Sequence, residues 1–201
     1  MRHDKETPVR RLRLLVLTAG LLALAARPAR ADGFFTPFVG YNFGGDSSNC
    51  ASLAACEDKR TNFGVSFGTM GPAFGFEEDI AFAQDFFGKV PGADTSVFTA
   101  MSNLLIGIGG GPVRPYFLVG VGLIRPHTSL NVTQFTADKN SLGYDLGGGV
   151  NAFFSKHLGV RGDVRHLETL QDVPFLGSIG GQIFVNQKLD FWRASIGLTL
   201  R

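Results

Sequence analysis

The chain has 201 residues, enough for one domain, and a formal net charge of +2. The first 31 residues hold seven of the 19 Lys+Arg and two of the 17 Asp+Glu, so the remainder carries 12 basic against 15 acidic side chains, a net charge of −3. That balance, with no basic stripe, argues against a nucleic-acid-binding protein. After residue 31 no apolar run is long enough to cross a membrane as a helix.

Residues 1–31 read as an export signal. Arg10, Arg11 and Arg13 form the basic region, Leu14 to Ala26 the short apolar core, and Ala29-Arg30-Ala31 an A-x-A cleavage site. Cleavage after Ala31 leaves 32–201 as one domain. Every aromatic residue and 26 of the 27 glycines follow the signal. An exported chain this rich in glycine and aromatics, with no helical period, points to a β-barrel.

Eight strands are predicted, each alternating at period two. The first, Phe35 to Gly44, puts Val39 and Tyr41 outward and Phe38 and Asn42 inward. A loop from Gly45 to Arg60 carries Cys50 and Cys56, read as one local disulfide in an exported protein. The second strand, Thr61 to Met70, turns at Gly71-Pro72 into the third, Ala73 to Ala83. In the third, Phe74, Phe76, Ile80 and Phe82 face out and Glu77 and Asp79 face in; Glu78 is then a misfit on the outer face. A bulge or a place near the lipid headgroups is the expected relief.

A loop from Gln84 to Ser96 leads to the fourth strand, Val97 to Ile108, with Asn103 inward. The glycines at 109–111 with Pro112 make the next tight turn rather than a phosphate loop, because no helix follows. The fifth strand, up to Arg125, has Phe117, Val119, Val121 and Leu123 on one side and Tyr116, Leu118, Gly120 and Gly122 on the other. A bulky apolar face backed by glycine fits lipid on one side and a crowded lumen on the other. After a polar loop, the sixth strand, Ser141 to Phe153, turns inward Asp145 and several glycines. Phe154 to His157 is the third tight turn. The seventh strand, Leu158 to Leu167, turns Arg161, Asp163 and Arg165 inward. A loop from Glu168 to Lys188 precedes the eighth strand, Leu189 to Leu200, with Trp192, Ile196 and Leu198 outward and Arg193 inward. Long and short connections alternate, as in barrels whose short turns are periplasmic and whose long loops are extracellular.

These stretches resemble the small eight-stranded outer-membrane barrels, the OmpA-like transmembrane-domain group. The resemblance rests on Pro37-Phe38-Val39-Gly40-Tyr41, Gly75-Phe76-Glu77-Glu78-Asp79, Arg114-Pro115-Tyr116 with Gly120-Val121-Gly122, and Gly143-Tyr144-Asp145-Leu146-Gly147-Gly148-Gly149. Arg161-Gly162-Asp163-Val164-Arg165 and Phe191-Trp192-Arg193 complete it. It implies an all-β, antiparallel up-and-down transmembrane barrel of the cell outer membrane, porin-like and monomeric. Its partners would be outer-membrane lipid and lipopolysaccharide, with insertion by the barrel-assembly machinery, and no cofactor, metal or nucleic acid. Two departures stand out: no peptidoglycan-binding domain follows the barrel, and the chain ends Leu200-Arg201 where the group ends on an aromatic residue.

The inward charges Glu77, Asp79, Asp145, Asp163, Arg161, Arg165 and Arg193 form the candidate site. In so narrow a barrel they must pair. The favoured reading is a structural ion-pair plug; the sharper one is a gate whose rearrangement opens a narrow pore. An alternative activity is a lipid A-modifying esterase, with Ser129 as nucleophile and His127 as base on the outer face. No glutamate is near to orient His127, and Asp138 is a weak substitute. A soluble barrel holding a small ligand in the periplasm would need polar outer faces on the fifth and eighth strands, which are absent. His157 and His166 gather no ligand set, and Asn131-Val132-Thr133 reads as an accidental glycosylation triplet.

Overall fold

Backbone donors and acceptors facing hydrocarbon have no water to pair with, so a sheet in a membrane must close on itself. The computed structural model describes residues 31–47, 60–87, 93–109, 111–130, 135–138, 140–171, 173–177 and 183–201. The signal-like segment up to residue 30 and both Cys50 and Cys56 lie outside the described residues.

The elements in chain order are β1 (Asp32–Phe43), β2 (Thr61–Met70), β3 (Phe74–Gln84), β4 (Ala93–Gly107), β5 (Val113–Leu130) and β6 (Phe135–Asp138). They continue with β7 (Ser141–Phe153), β8 (Leu158–Thr169), β9 (Val173–Gly177), β10 (Ile183–Gln187) and β11 (Asp190–Leu200). Eight of them pair antiparallel in the order β1-β2-β3-β4-β5-β7-β8-β11, and β11 pairs back onto β1. The barrel is closed. The register through Glu78 is unbroken on both sides, so no bulge relieves it; instead Ser102 Oγ, on the facing strand, donates to Glu78 Oε1 and Oε2 at 2.9 and 2.8 Å.

The stagger of this closure can be followed residue by residue. From Phe43 the direct partners run Trp192, His166, Leu146, Val119, Leu104, Phe76, Thr69 and Gly33, so one circuit returns to β1 ten residues lower, from 43 to 33. Ten residues at about 3.3 Å, set against eight strand spacings of about 4.8 Å, tilt the strands by about 40°. A barrel of this strand number and tilt has an interior only wide enough for side chains.

The burial pattern is that of a soluble protein turned inside out. Phe117 is 60% exposed and Val39 62%, whereas Glu77, Asp79 and Arg165 are at 0%. The apolar side of every barrel strand therefore faces away from the interior, which removes the soluble periplasmic alternative. The tight turns form as their residues dictate. Gly71 N–H donates to the Phe74 carbonyl at 2.8 Å, and Gly109 and Gly111 adopt φ of +82° and +137°, open to glycine alone. At the third turn Ser155 Oγ accepts from the backbone N–H of Leu158 at 3.0 Å.

The strands outrun the expected limits at the long-loop end. β4 and β5 pair as far as Ala93 and Leu130, β6 folds back onto the outer end of β5, and β9 and β10 form a separate hairpin. The sequence reading makes these segments loops. Their polar composition hides strand pairing that needs no membrane, since beyond the bilayer the outward face is free to be polar.

Candidate functional site

The seven charged residues come from four strands. β3 brings Glu77 and Asp79, β7 Asp145, β8 Arg161, Asp163 and Arg165, and β11 Arg193, all at inward positions and all buried. Small partners make the room. Gly147 is paired with Arg165, Gly149 with Asp163, Gly197 with Arg161 and Gly68 with Glu77. A Cβ on Gly120 would lie 1.8 Å from Asn103 Oδ1 and 2.4 Å from Asp145 Oδ1, and one on Gly149 2.5 Å from Tyr116 Oη. The inward glycines are thus the complement of the long polar side chains that lie across them.

Arg165 is the hub. Its guanidinium reaches all four acids: Asp163 Oδ1 at 2.8 Å, Glu77 Oε1 at 3.0 Å, Asp79 Oδ2 at 3.4 Å and Asp145 Oδ2 at 3.7 Å. Arg161 pairs with Glu77 through Nη1 and with Asp163 through Nε at 3.1 Å; Arg193 Nη2 holds Asp79 Oδ1 at 2.5 Å. Four acids meet three bases, and Asp145 takes the imbalance. Among the described residues its two carboxylate oxygens accept no hydrogen bond, and the long contact to Arg165 is its ion pair.

Neutral groups complete the network. Ser66 Oγ donates to Asp79 at 2.8 Å, Asn103 Nδ2 to Glu77 at 3.1 Å, and Ser195 Oγ to Asp163 at 3.1 Å. Tyr116 accepts from Arg161 Nε at 2.6 Å and donates to Asp163 Oδ2 at 3.1 Å. Arg161 also lies over the Tyr116 and Phe34 rings, at 4.8 and 5.6 Å from their centres, and Arg193 over Phe38 at 5.1 Å. Tyr116, Ser66, Asn103 and Ser195 all occupy inward positions by simple alternation. Sequence reasoning omitted them from the network because it tracked charge and not hydrogen-bonding capacity.

Apolar layers close the network above and below. Toward the long loops Ala83, Phe86, Val97, Met101, Ile124, Leu167, Leu189 and Phe191 pack together. Toward the short turns Met70, Leu105, Tyr116 and Leu118 pack, with Phe34 against them. On β4 and β8 the order can be read along one strand: Met101, Asn103, Leu105 and Arg161, Asp163, Arg165, Leu167. The charges therefore sit in a lumen sealed from water at both ends. Among the described residues, no three His, Cys, Asp or Glu side chains gather to hold a metal.

His127 and Ser129 lie on the outward phase of β5 near its extracellular end, both half-buried. The register sets Asp138 of β6 directly opposite His127, and Asp94 of β4 opposite Ser129. Strand partners share a face, so these four positions occupy one side of the sheet. At the same rim the outer face carries Trp192, stacked on Phe43 at 6.3 Å and tilted against His166 at 4.9 Å. Tyr144 hydrogen-bonds Glu168, which Lys188 approaches at 3.3 Å.

Residues 16–201 match the family described as outer membrane protein beta-barrel domain. No protein of curated function matches the chain. Among solved structures it is similar to Neisserial surface protein A (TM-score 0.59, 15% identity, 85% of this chain and 97% of that one). It is also similar to a major outer membrane protein from Thermus thermophilus (TM-score 0.53, 15% identity, 84% and 99%). A third is the N-terminal β-barrel domain of Pseudomonas aeruginosa OprF (TM-score 0.50, 11% identity, 85% and 98%). At such identities the likeness is one of fold.

Replacing Arg165 by Met leaves four buried acids with two bases. Loss of one partner from a buried ion-pair cluster costs about 3–5 kcal/mol, and urea unfolding of the refolded barrel in micelles is expected to show a fall of that size. Replacing Lys188 by Ala, at a solvent-exposed pair, is expected to change stability by no more than about 1 kcal/mol.

Proposed function

The chain belongs to the outer membrane protein β-barrel family of the bacterial outer membrane, and from that premise we propose that it is a non-catalytic, closed barrel. It serves the membrane as a structural and surface-interaction protein, meeting outer-membrane lipid and lipopolysaccharide at its wall and other partners at its extracellular hairpins. The barrel-assembly machinery inserts it. The observation that carries this reading is the filled lumen. Seven charged side chains hubbed on Arg165 lie between two apolar layers. Moving an ion through that layer sequence means stripping its water against hydrocarbon twice and breaking pairs already made.

A second reading has one observation in its favour. The register sets Asp138 across from His127, the acid that an esterase using Ser129 and His127 would need.

Purified barrel in a planar bilayer is expected to give no steady conductance; a constant ohmic current would favour the narrow-pore reading instead. Lipid A from cells with and without the protein is expected to have the same acyl pattern by mass spectrometry. Loss of one chain that disappears with Ser129→Ala would establish the esterase.

A further inference from the structure

The outer wall is not uniformly convex. A furrow of about 620 Å³ crosses it near the extracellular rim, with Gln84 and Thr61 at one end and Ala194 and Ile196 at the other. A second depression, of about 420 Å³, shares Val39 and Ile196 with it and continues to Val160 and Leu198. The two lie end to end on the lipid-facing side, the furrow nearer the rim.

Its origin lies in the register. One row of paired outward residues is Ala194, Tyr41 and Thr61, and the row beneath it is Ile196, Val39 and Phe63. The furrow runs between these rows. Ala194 is the small member of the β11 outer face, between Trp192 and Ile196, and leaves the floor open there. Farther down, the seam between β1 and β11 pairs Phe38 with Gly197 and Phe35 with Leu200, but Thr36 and Pro37 have no ladder partner on β11. Pro37 has no N–H to offer. The β1–β11 ladder is therefore interrupted beside the second depression, where Thr36 and Thr199 bridge the seam through their hydroxyls at 2.9 Å.

The dimensions identify the occupant. From Gln84 on β3 across β2 and β1 to Ile196 on β11 the furrow takes three strand steps of about 4.8 Å and drops two residues of about 3.3 Å along the strands. With the strands tilted by about 40°, the two components add to a descent of about 14 Å. That is within the ~15 Å depth of one leaflet's hydrocarbon. It begins at the extracellular rim, where Thr61 and Gln84 offer a hydroxyl and an amide, and then runs over Tyr41, Val39, Phe63, Ala194 and Ile196, with Asn62 and Ser195 also in its lining.

We infer that this furrow holds one acyl chain of an outer-leaflet lipid, lipopolysaccharide, with Thr61 and Gln84 hydrogen-bonding its ester and sugar end. The inference rests on the reading of the protein as an outer-membrane barrel that meets lipopolysaccharide at its wall, and gives that contact an address. It does not depend on the lumen being closed, so a failure here and an open-channel current are separate results.

The test uses the full barrel reconstituted with lipopolysaccharide and phosphatidylethanolamine, then released into the gas phase for native mass spectrometry. Wild type is expected to retain one lipopolysaccharide. Ala194→Phe, which fills the floor from the lipid side, is expected to lower retention at least 5-fold, and the double change Thr61→Val with Gln84→Leu to lower it by a smaller factor. Val121→Phe, on the opposite outer wall, is expected to leave it unchanged. Heat-modifiable mobility on gels shows that each variant is folded; if Ala194→Phe fails to fold, the Thr61/Gln84 pair carries the decision. Three results overturn the inference: no lipid retained by wild type, retention of phosphatidylethanolamine instead, or equal losses from the furrow variants and Val121→Phe.

Discussion

An unpaired strand edge cannot be left in hydrocarbon, and the rest of the structure follows from that. With eight strands available, the sheet closes when β11 meets β1, and a stagger of ten residues sets the tilt. Closure at this strand number makes the interior narrow. A narrow interior facing away from lipid is the place where polar side chains collect, and charges taken there must find partners. The Arg165 hub is the answer this sequence reaches: one planar guanidinium touching four carboxylates, with arginines on either side of it.

Glycine and arginine are two halves of one design. Each long side chain lies flat across the lumen because the position paired with it is small, as Gly147 is for Arg165 and Gly197 for Arg161. The apolar layers then keep water from competing for the ion pairs, which are worth more in a dry environment. Asp145 is the weak point of the arrangement. It is fully buried and, among the described residues, has a single long ion pair.

Much of this was legible before any coordinates. Period-two alternation assigned Phe117, Val119, Trp192 and Ile196 to the outer face and all seven charged residues to the lumen, because in a barrel the two faces meet different solvents and the residue types separate cleanly. The partners of those charges were not legible. Which arginine contacts which acid depends on the stagger, and the register of strands distant in sequence is not written in any one of them. The sealing layers were missed for a related reason: Phe86 lies past the end of β3 and Phe191 at the start of β11, and only closure brings them together. Glu78 shows the opposite case. Its outward position follows from alternation, but its partner Ser102 is on the next strand, where a serine among apolar residues carries no signal of its own. The extracellular hairpins read as loops because outside the bilayer strand pairing no longer requires an apolar face.

The central claim is that the bulky face of each strand meets acyl chains and the charged face does not meet water. Trp192 is the chain's one tryptophan and lies on that bulky face, 42% exposed. Its fluorescence in vesicles therefore reports the solvent of the outer wall directly. Lipids brominated on their acyl chains are predicted to quench it strongly, most of all when the bromines are near the glycerol end, while aqueous acrylamide quenches it weakly. Strong quenching by acrylamide with none from brominated lipids would contradict the account.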